Sequence, residues 1–292
     1  MTKILILGSS GLVGHQLLEI LNKIKNLNNF KIYNTSRFKN KNDIYFDVLK
    51  EESYKNIKKL KPHYVINCIG LIKSRMDYNS LQSLANCLKV NSIFPITLSN
   101  HFKKSKIIHI TTDGVFDGKK GNYLETDKHN SEDFYGKSKS TGEIKRDNFM
   151  NLRCSVIGFE NKTNYSLLNW YLKNKNMTIK GYNNHIWNGL TSIALSKIII
   201  GIIKKSLFKS GTFHLTPSKK ISKYDLLCLL NKYLNNNKSK IISSKNNISF
   251  NSTLKTKYKN FNLKIWNAAG YKKIPEINFL IKELSLYKKN NF

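Results

Sequence analysis

The chain has little arginine. Only four of its 50 basic residues are arginine (Arg37, Arg75, Arg146 and Arg153), against 46 lysines and 18 acidic residues, for a formal charge of +32 over 292 residues. Proteins that read bases and phosphates favour the bidentate guanidinium fork, so this scarcity argues against a nucleic-acid partner. The lysines are spread along the chain and 38 asparagines accompany them, as an AT-rich coding sequence would produce. The charge therefore reads as a solvated surface that helps to attract anionic nucleotides.

Cysteine is sparse too. Cys68, Cys87, Cys154 and Cys228 contain no CxxC pair and three sit in apolar runs, which predicts reduced core thiols and a cytoplasmic compartment. Long apolar runs are missing as well: Ile198 to Ile203 is far below the ~20 residues of a membrane span. Ile4 to Leu7 ends in glycine without a cleavage signal, so no targeting segment is expected. His15, His63, His101 and His109 show no metal-ligand spacing, which predicts no metal site. There is no internal repeat.

What is present is an alternation of strand and helix. Lys3 to Leu7, Lys31 to Asn34, Ile44 to Phe46, Tyr64 to Asn67 and Lys106 to Thr111 read as strands. Helical stretches lie between them at Val13 to Ile24, near Glu51 to Leu60 and at Ser80 to His101. This order predicts an α/β fold, a Rossmann-type doubly wound parallel sheet with ligands at the carboxyl ends of its strands. Past Cys154 the rhythm changes: Tyr165 to Lys175, Ile193 to Lys205, Tyr224 to Leu234 and Ile277 to Leu286 look helical. Residues 1–154 are thus expected to form a dinucleotide-binding domain, to which some later segments return. Residues 155–292 are expected to be mainly a smaller, mixed α/β substrate-binding region. Asn235 to Asn247, rich in lysine and asparagine, reads as a mobile surface connection.

Two motifs carry the chemistry. Gly8-Ser9-Ser10-Gly11-Leu12-Val13-Gly14 follows the first strand and opens a helix. Glycine at 8 permits the tight turn, at 11 it lets the backbone approach a pyrophosphate, and at 14 it lets the helix pack on the sheet. Ser10, Leu12 and Val13 lie at the helix N-terminus, where free N–H groups favour phosphate. At the end of the second strand, Asn34-Thr35-Ser36-Arg37 replaces the acidic residue usual for NAD. Arg37 can face a 2′-phosphate, so NADPH is preferred, with NADH also usable. Asp47 and Val48 are expected near the adenine, and Cys68, Ile69 and Gly70 beside the nicotinamide ribose.

The second motif is Tyr135-Gly136-Lys137-Ser138-Lys139. A phenol with a pKa of ~10 is a sluggish acid at neutral pH, and an ammonium one helical turn away lowers it. Tyr135 is the expected proton donor, Lys139 its helper, and Thr112, at the end of the fifth strand, the hydroxyl that holds a carbonyl. Tyr54 and Lys58 share the spacing but not the position after the fifth strand.

These stretches resemble the extended short-chain dehydrogenase/reductases, and among them the dTDP-4-dehydrorhamnose reductases and related nucleotide-sugar 4-ketoreductases. The matching segments are the first strand with its glycine turn, Val65 to Gly70, Val90-Asn91 to Pro95, His109 to Gly118, Tyr135 to Lys139, Gly142-Glu143 and Leu152-Arg153. The resemblance implies a catalytic triad of Thr112, Tyr135 and Lys139. It also implies a dTDP- or UDP-linked keto sugar as partner, and it allows a homodimer. Gly114 stands where these reductases usually carry an aromatic residue, and no tryptophan follows Leu152-Arg153. An altered sugar pocket is therefore expected, with Lys73, Asp113, Gly114 and Trp187 as its candidate residues and room for a UDP-linked 2-acetamido-2,6-dideoxy-4-keto sugar. The first reading is reduction of a 4-keto-6-deoxyhexose in surface-polysaccharide or glycan synthesis. The alternatives are an epimerase, or a bifunctional epimerase/reductase, that retains its nicotinamide, and a non-catalytic NADP-binding regulatory subunit.

Overall fold

In a computed structural model, which describes residues 1–38, 42–160 and 165–289, the apolar runs of the first half become strands. They are β1 (Thr2–Leu7), β2 (Phe30–Ser36), β3 (Ile44–Tyr45), β4 (Tyr64–Asn67), β5 (Lys106–Thr111) and β6 (Phe149–Arg153). Between them lie α1 (Leu12–Ile24), α2 (Lys55–Lys58), α3 (Leu81–Leu88), α4 (Phe94–His101) and α5 (Phe134–Thr141), with a π-turn at Lys89–Ile93 joining α3 to α4. The remaining strands are β7 (Val156–Ile157), β8 (Thr178–Tyr182), β9 (His185–Trp187), β10 (Leu190–Thr191), β11 (Gly211–His214), β12 (Ile221–Ser222), β13 (Lys240–Ser244) and β14 (Phe250–Asn251). Their helices are α6 (Leu167–Lys173), α7 (Ser192–Lys204), α8 (Lys223–Leu234), α9 (Lys259–Ala268) and α10 (Ile277–Lys289).

Seven parallel strands form the main sheet, in the order β11-β6-β5-β4-β1-β2-β3. Buried on both faces, β1 is apolar at every core position. Ile4 and Ile6 pack with Leu17 and Leu21 of α1 and Ala194, Ile198 and Ile202 of α7, while Leu5 and Leu7 pack with Ile57, Phe94 and Leu98 on the other face. The strand order reverses between β1 and β4, the place where such sheets bind ligands. After residue 190 the chain returns to this sheet, since α7 packs on α1 and β11 pairs with β6. A second core, with Leu168, Tyr171, Ile179, Trp187, Leu226 and Ile281, lies under the short strands of the C-terminal region. No helix among the described residues is long and apolar enough to cross a membrane.

The structure corrects the expectation for Asn235 to Asn247. Lys240–Ser244 is a strand that pairs in parallel with β8 from Thr178 to Tyr182. Asn235, from that stretch, and Asn231 of α8 fasten the turn before it. Asn231 accepts from the Ser239 N–H at 3.1 Å and donates to its carbonyl at 2.7 Å, and Asn235 donates to the Ser239 hydroxyl at 2.9 Å.

A polar island ties the end of α5 to the sheet. Arg153 of β6, 1% exposed, forms a buried ion pair with Glu143, its Nε donating at 2.9 Å. Its two Nη groups donate to Nε2 of His214 and of His129, each at 2.6 Å. Both imidazoles are therefore neutral, with their remaining protons on Nδ1, which faces the Lys255 carbonyl at 2.8 Å and the Ser140 hydroxyl at 2.6 Å. Burial, and then the Arg153 charge, push the His214 pKa down to about 4; burial also lowers that of His129. The unfolded chain binds these protons near pH ~6.5. Unfolding thus takes up protons as the pH falls, so stability present above about pH 6.5 is lost towards about pH 4. Melting temperatures measured across this range should fall steadily for the parent chain and less steeply for His214→Asn; equal slopes would contradict the assignment.

Candidate active site

The chain leaves β1 through Gly8 at φ +79°, a left-handed conformation that favours glycine. A side chain there would also press on Ile69 at 2.8 Å, and one at Gly14 would stand 2.2 Å from the Gly8 carbonyl oxygen. Thr35 secures the turn, its hydroxyl accepting from the Gly8 N–H at 3.2 Å and its carbonyl from the Ser9 hydroxyl at 3.0 Å. No side chain caps α1, so the N–H groups of its first turn are available to an anion.

This turn opens onto a cavity of about 460 Å³. Gly8, Ser10, Gly11, Leu12 and Val13 form one wall, and Arg37, Asp47 and Val48 line its outer end. Cys68, Ile69 and Gly70 continue the lining to Thr112, Tyr135 and Lys139. Gly14 is not part of the lining; its contact with Gly8 packs the helix. The turn that a Cβ would fill, the uncapped helix and the Arg37 guanidinium suit a phosphorylated dinucleotide.

At the inner end, Asp133 caps α5, accepting from the Gly136 N–H at 2.8 Å. The helix presents Tyr135 and Lys139 on one face, as their spacing predicts. The Thr112 hydroxyl accepts from the Gly114 N–H at 3.0 Å and donates to Asp113 Oδ1 at 3.2 Å, and it flanks Gly114 together with the edge of the Tyr135 ring. Burial pushes the Tyr135 pKa well above the usual tyrosine range, and the nearby Thr112 hydroxyl offsets this only in part. The phenol thus holds its proton firmly, contrary to the lowering that its lysine neighbour suggested. Lys139 is 5% exposed and donates to the Ile110 carbonyl at 3.3 Å; burial lowers its pKa to about 8, against the pull of Glu143.

Asn91 was not singled out as a site residue, yet it braces this end. From the π-turn its side chain accepts from the Leu71 N–H at 2.9 Å, donates to the Leu71 carbonyl at 3.0 Å and donates to Ser138 of α5 at 3.0 Å. Such turns recur at functional sites because they aim a side chain that a regular helix would turn away. Tyr54 and Lys58, the competing pair, are elsewhere. The Tyr54 ring lies edge-on to Phe46 at 5.1 Å and Lys58 is exposed.

The candidate sugar residues separate. Lys73 is exposed and forms an ion pair with Asp133 at 3.1 Å, outside the cavity lining. Asp113 turns to the C-terminal region, where Ser252 donates to its Oδ2 at 2.6 Å. Burial raises its pKa, opposed by Ser252, Lys223 and Thr112. Trp187, 5% exposed, donates to the hydroxyl of Ser155, a cavity residue, at 2.7 Å. Ser155, Lys223 and Ser252 were missed because no local pattern marks them. Among the described residues no group of three or more His, Cys, Asp or Glu side chains could hold a metal.

The chain matches the model of the RmlD substrate binding domain over residues 1–284. It belongs to this family. No curated protein matches it significantly. Among solved structures it is similar to a Bacillus anthracis dTDP-4-dehydrorhamnose reductase in complex with NADP, with a TM-score of 0.78 and 19% identity, covering 98% of this chain and 100% of that one. A dTDP-4-dehydrorhamnose reductase ortholog from Clostridium acetobutylicum gives a TM-score of 0.74 at 21% identity, over 99% and 100% of the two chains. Helicobacter pylori ADP-L-glycero-D-manno-heptose-6-epimerase gives 0.76 at 16%, over 98% and 96%. These solved structures thus share the fold of this chain.

Gly114 has a physical reason here. A Cβ at this position would stand 3.2 Å from Tyr135 Cε1 and 3.3 Å from Thr112 Oγ1, tighter than ordinary contact. Gly114→Ala should therefore displace the phenol by a few tenths of an ångström and lower kcat by about tenfold, with the affinity for the dinucleotide unchanged. Unaltered kcat in steady-state assays would show that the ring is not held at this edge.

Proposed function

We propose that the chain is an NADPH-dependent reductase of the 4-keto group of a nucleotide-activated 6-deoxyhexose. The substrate is dTDP-4-dehydrorhamnose-like or a UDP-linked 2-acetamido-2,6-dideoxy-4-keto sugar, made for surface-polysaccharide or glycan synthesis. The observation that carries this is the meeting of Thr112, Tyr135 and Lys139 in the lining of one cavity that begins at a glycine turn. The Bacillus anthracis relative, solved with NADP, supports the choice of cofactor. In this reading residues 1–154 hold the dinucleotide and residues 155–292 mainly the sugar.

Bound nicotinamide supplies the hydride. The chain's residues do the rest: the first-turn N–H groups of α1 hold the diphosphate and Arg37 faces the 2′-phosphate. Thr112 fixes the carbonyl oxygen, and Tyr135 passes its proton to that oxygen as negative charge develops on it. The high pKa of Tyr135 suits an acid in the reducing direction, since the donor stays loaded at neutral pH. The Lys139 ammonium stabilises the phenolate left behind. Of the candidate sugar residues, Asp113 and Gly114, next to Thr112, are the ones placed to face the sugar.

A panel of dTDP- and UDP-linked 4-keto-6-deoxy sugars, mixed with NADPH and with NADH, tests this directly. One sugar should consume the reduced nicotinamide, faster with NADPH. With Lys139 titrating near pH 8, kcat/KM should be flat at neutral pH and fall above about pH 8 as the ammonium is lost. Cofactor bound without consumption by any sugar would contradict the reductase reading. Interconversion of two sugars with no net consumption would favour the epimerase.

A further inference from the structure

Next to the cavity, behind its lining residues Ser155 and Thr112, lies a cation that the reaction scheme does not use. Lys223 is the first residue of α8, behind the Ser222 cap, and its amine lies over the Trp187 ring at 5.2 Å from the centroid. Among the described residues no carboxylate lies within ion-pair distance of that amine, and no acceptor within hydrogen-bonding distance. Burial lowers its pKa, and Asp113 is the group that draws it back. A half-buried ammonium with three N–H donors and no acceptor is costly unless something completes it.

Its surroundings say what that is. The Trp187 ring beneath it is pinned by Ser155, which lines the cavity, and Asp113 is hydrogen-bonded to Thr112, which holds the carbonyl end. Four separate segments, the loop after β5, the strand β9, the start of α8 and the residues after β14, thus bring an acceptor, an aromatic face, an ammonium and a hydroxyl together. This grouping of a carboxylate, a hydroxyl and an ammonium is suited to a hexose, whose hydroxyls need both donors and acceptors. We propose that Lys223 is a specificity-determining residue that donates to an oxygen on the hexose ring of the nucleotide sugar, opposite Asp113. The proposal rests on the reductase reading for the identity of the ligand and adds the residue that selects its sugar.

Lys223→Met, which keeps most of the side-chain length over Trp187, separates this role from a structural one. Calorimetric titration of the NADP-loaded protein with dTDP- and UDP-linked hexoses, and with free dTDP and UDP, should show the variant about 10- to 100-fold weaker for the sugar-linked ligands. Affinities for the free nucleotides and for NADPH should stay within about twofold. Lys223→Arg, which retains the charge, should recover part of the loss. Equal affinities of parent and variant for every sugar-linked ligand would overturn the proposal, as would an equal loss for free and sugar-linked nucleotides. If the parent binds the sugar nucleotides but consumes no NADPH with them, the reductase reading fails while the binding comparison still decides the role of Lys223.

Discussion

The buried pair between Arg153 and Glu143 is the interaction on which the geometry of the site depends. Glu143 follows α5, the helix that carries Tyr135 and Lys139, and Arg153 ends β6, the second strand from one edge of the sheet. The same carboxylate accepts from Thr111 at 2.8 Å, one residue before Thr112. One charge pair therefore sets the proton donor, its lysine and the threonine loop relative to a single strand. Two buried charges cost much solvation, and removing either partner alone leaves the other uncompensated, typically by about 3–5 kcal/mol. The two imidazoles and the Phe116 face, 5.1 Å from the guanidinium, complete the shell around Arg153.

The site has its own charge arrangement inside a chain of strongly positive surface. Burial lowers the Lys139 pKa and raises those of Tyr135 and Asp113, so all three are shifted towards their neutral forms.

Local chemistry made part of this legible in the sequence. β1 and β4 announce themselves because each is buried on both faces, and the turn because Gly8 and Gly14 are forced by contact with Ile69 and the Gly8 carbonyl. Tyr135 and Lys139 were separable from Tyr54 and Lys58 only by position along the chain. The structure gives the physical difference, since the ring of Tyr54 is spent on Phe46 and Phe94. Where the outcome depends on distant partners, the sequence was silent or misleading. The asparagine-rich stretch before β13 becomes ordered through side-chain bonds to Ser239. Ser252 meets Asp113 across more than a hundred residues. The absence of an aromatic residue at Gly114 was visible, but its cause, the edge of the Tyr135 ring, was not.

The central claim is that the Tyr135 phenol protonates the carbonyl oxygen. Single-turnover oxidation of bound NADPH by the accepted keto sugar, compared between the parent and Tyr135→Phe, tests it most directly. The account requires the variant to bind NADPH and sugar with affinities close to the parent's and to react slower by about 10²–10⁴-fold. A phenylalanine variant that reduces the sugar at the parent's rate would contradict it.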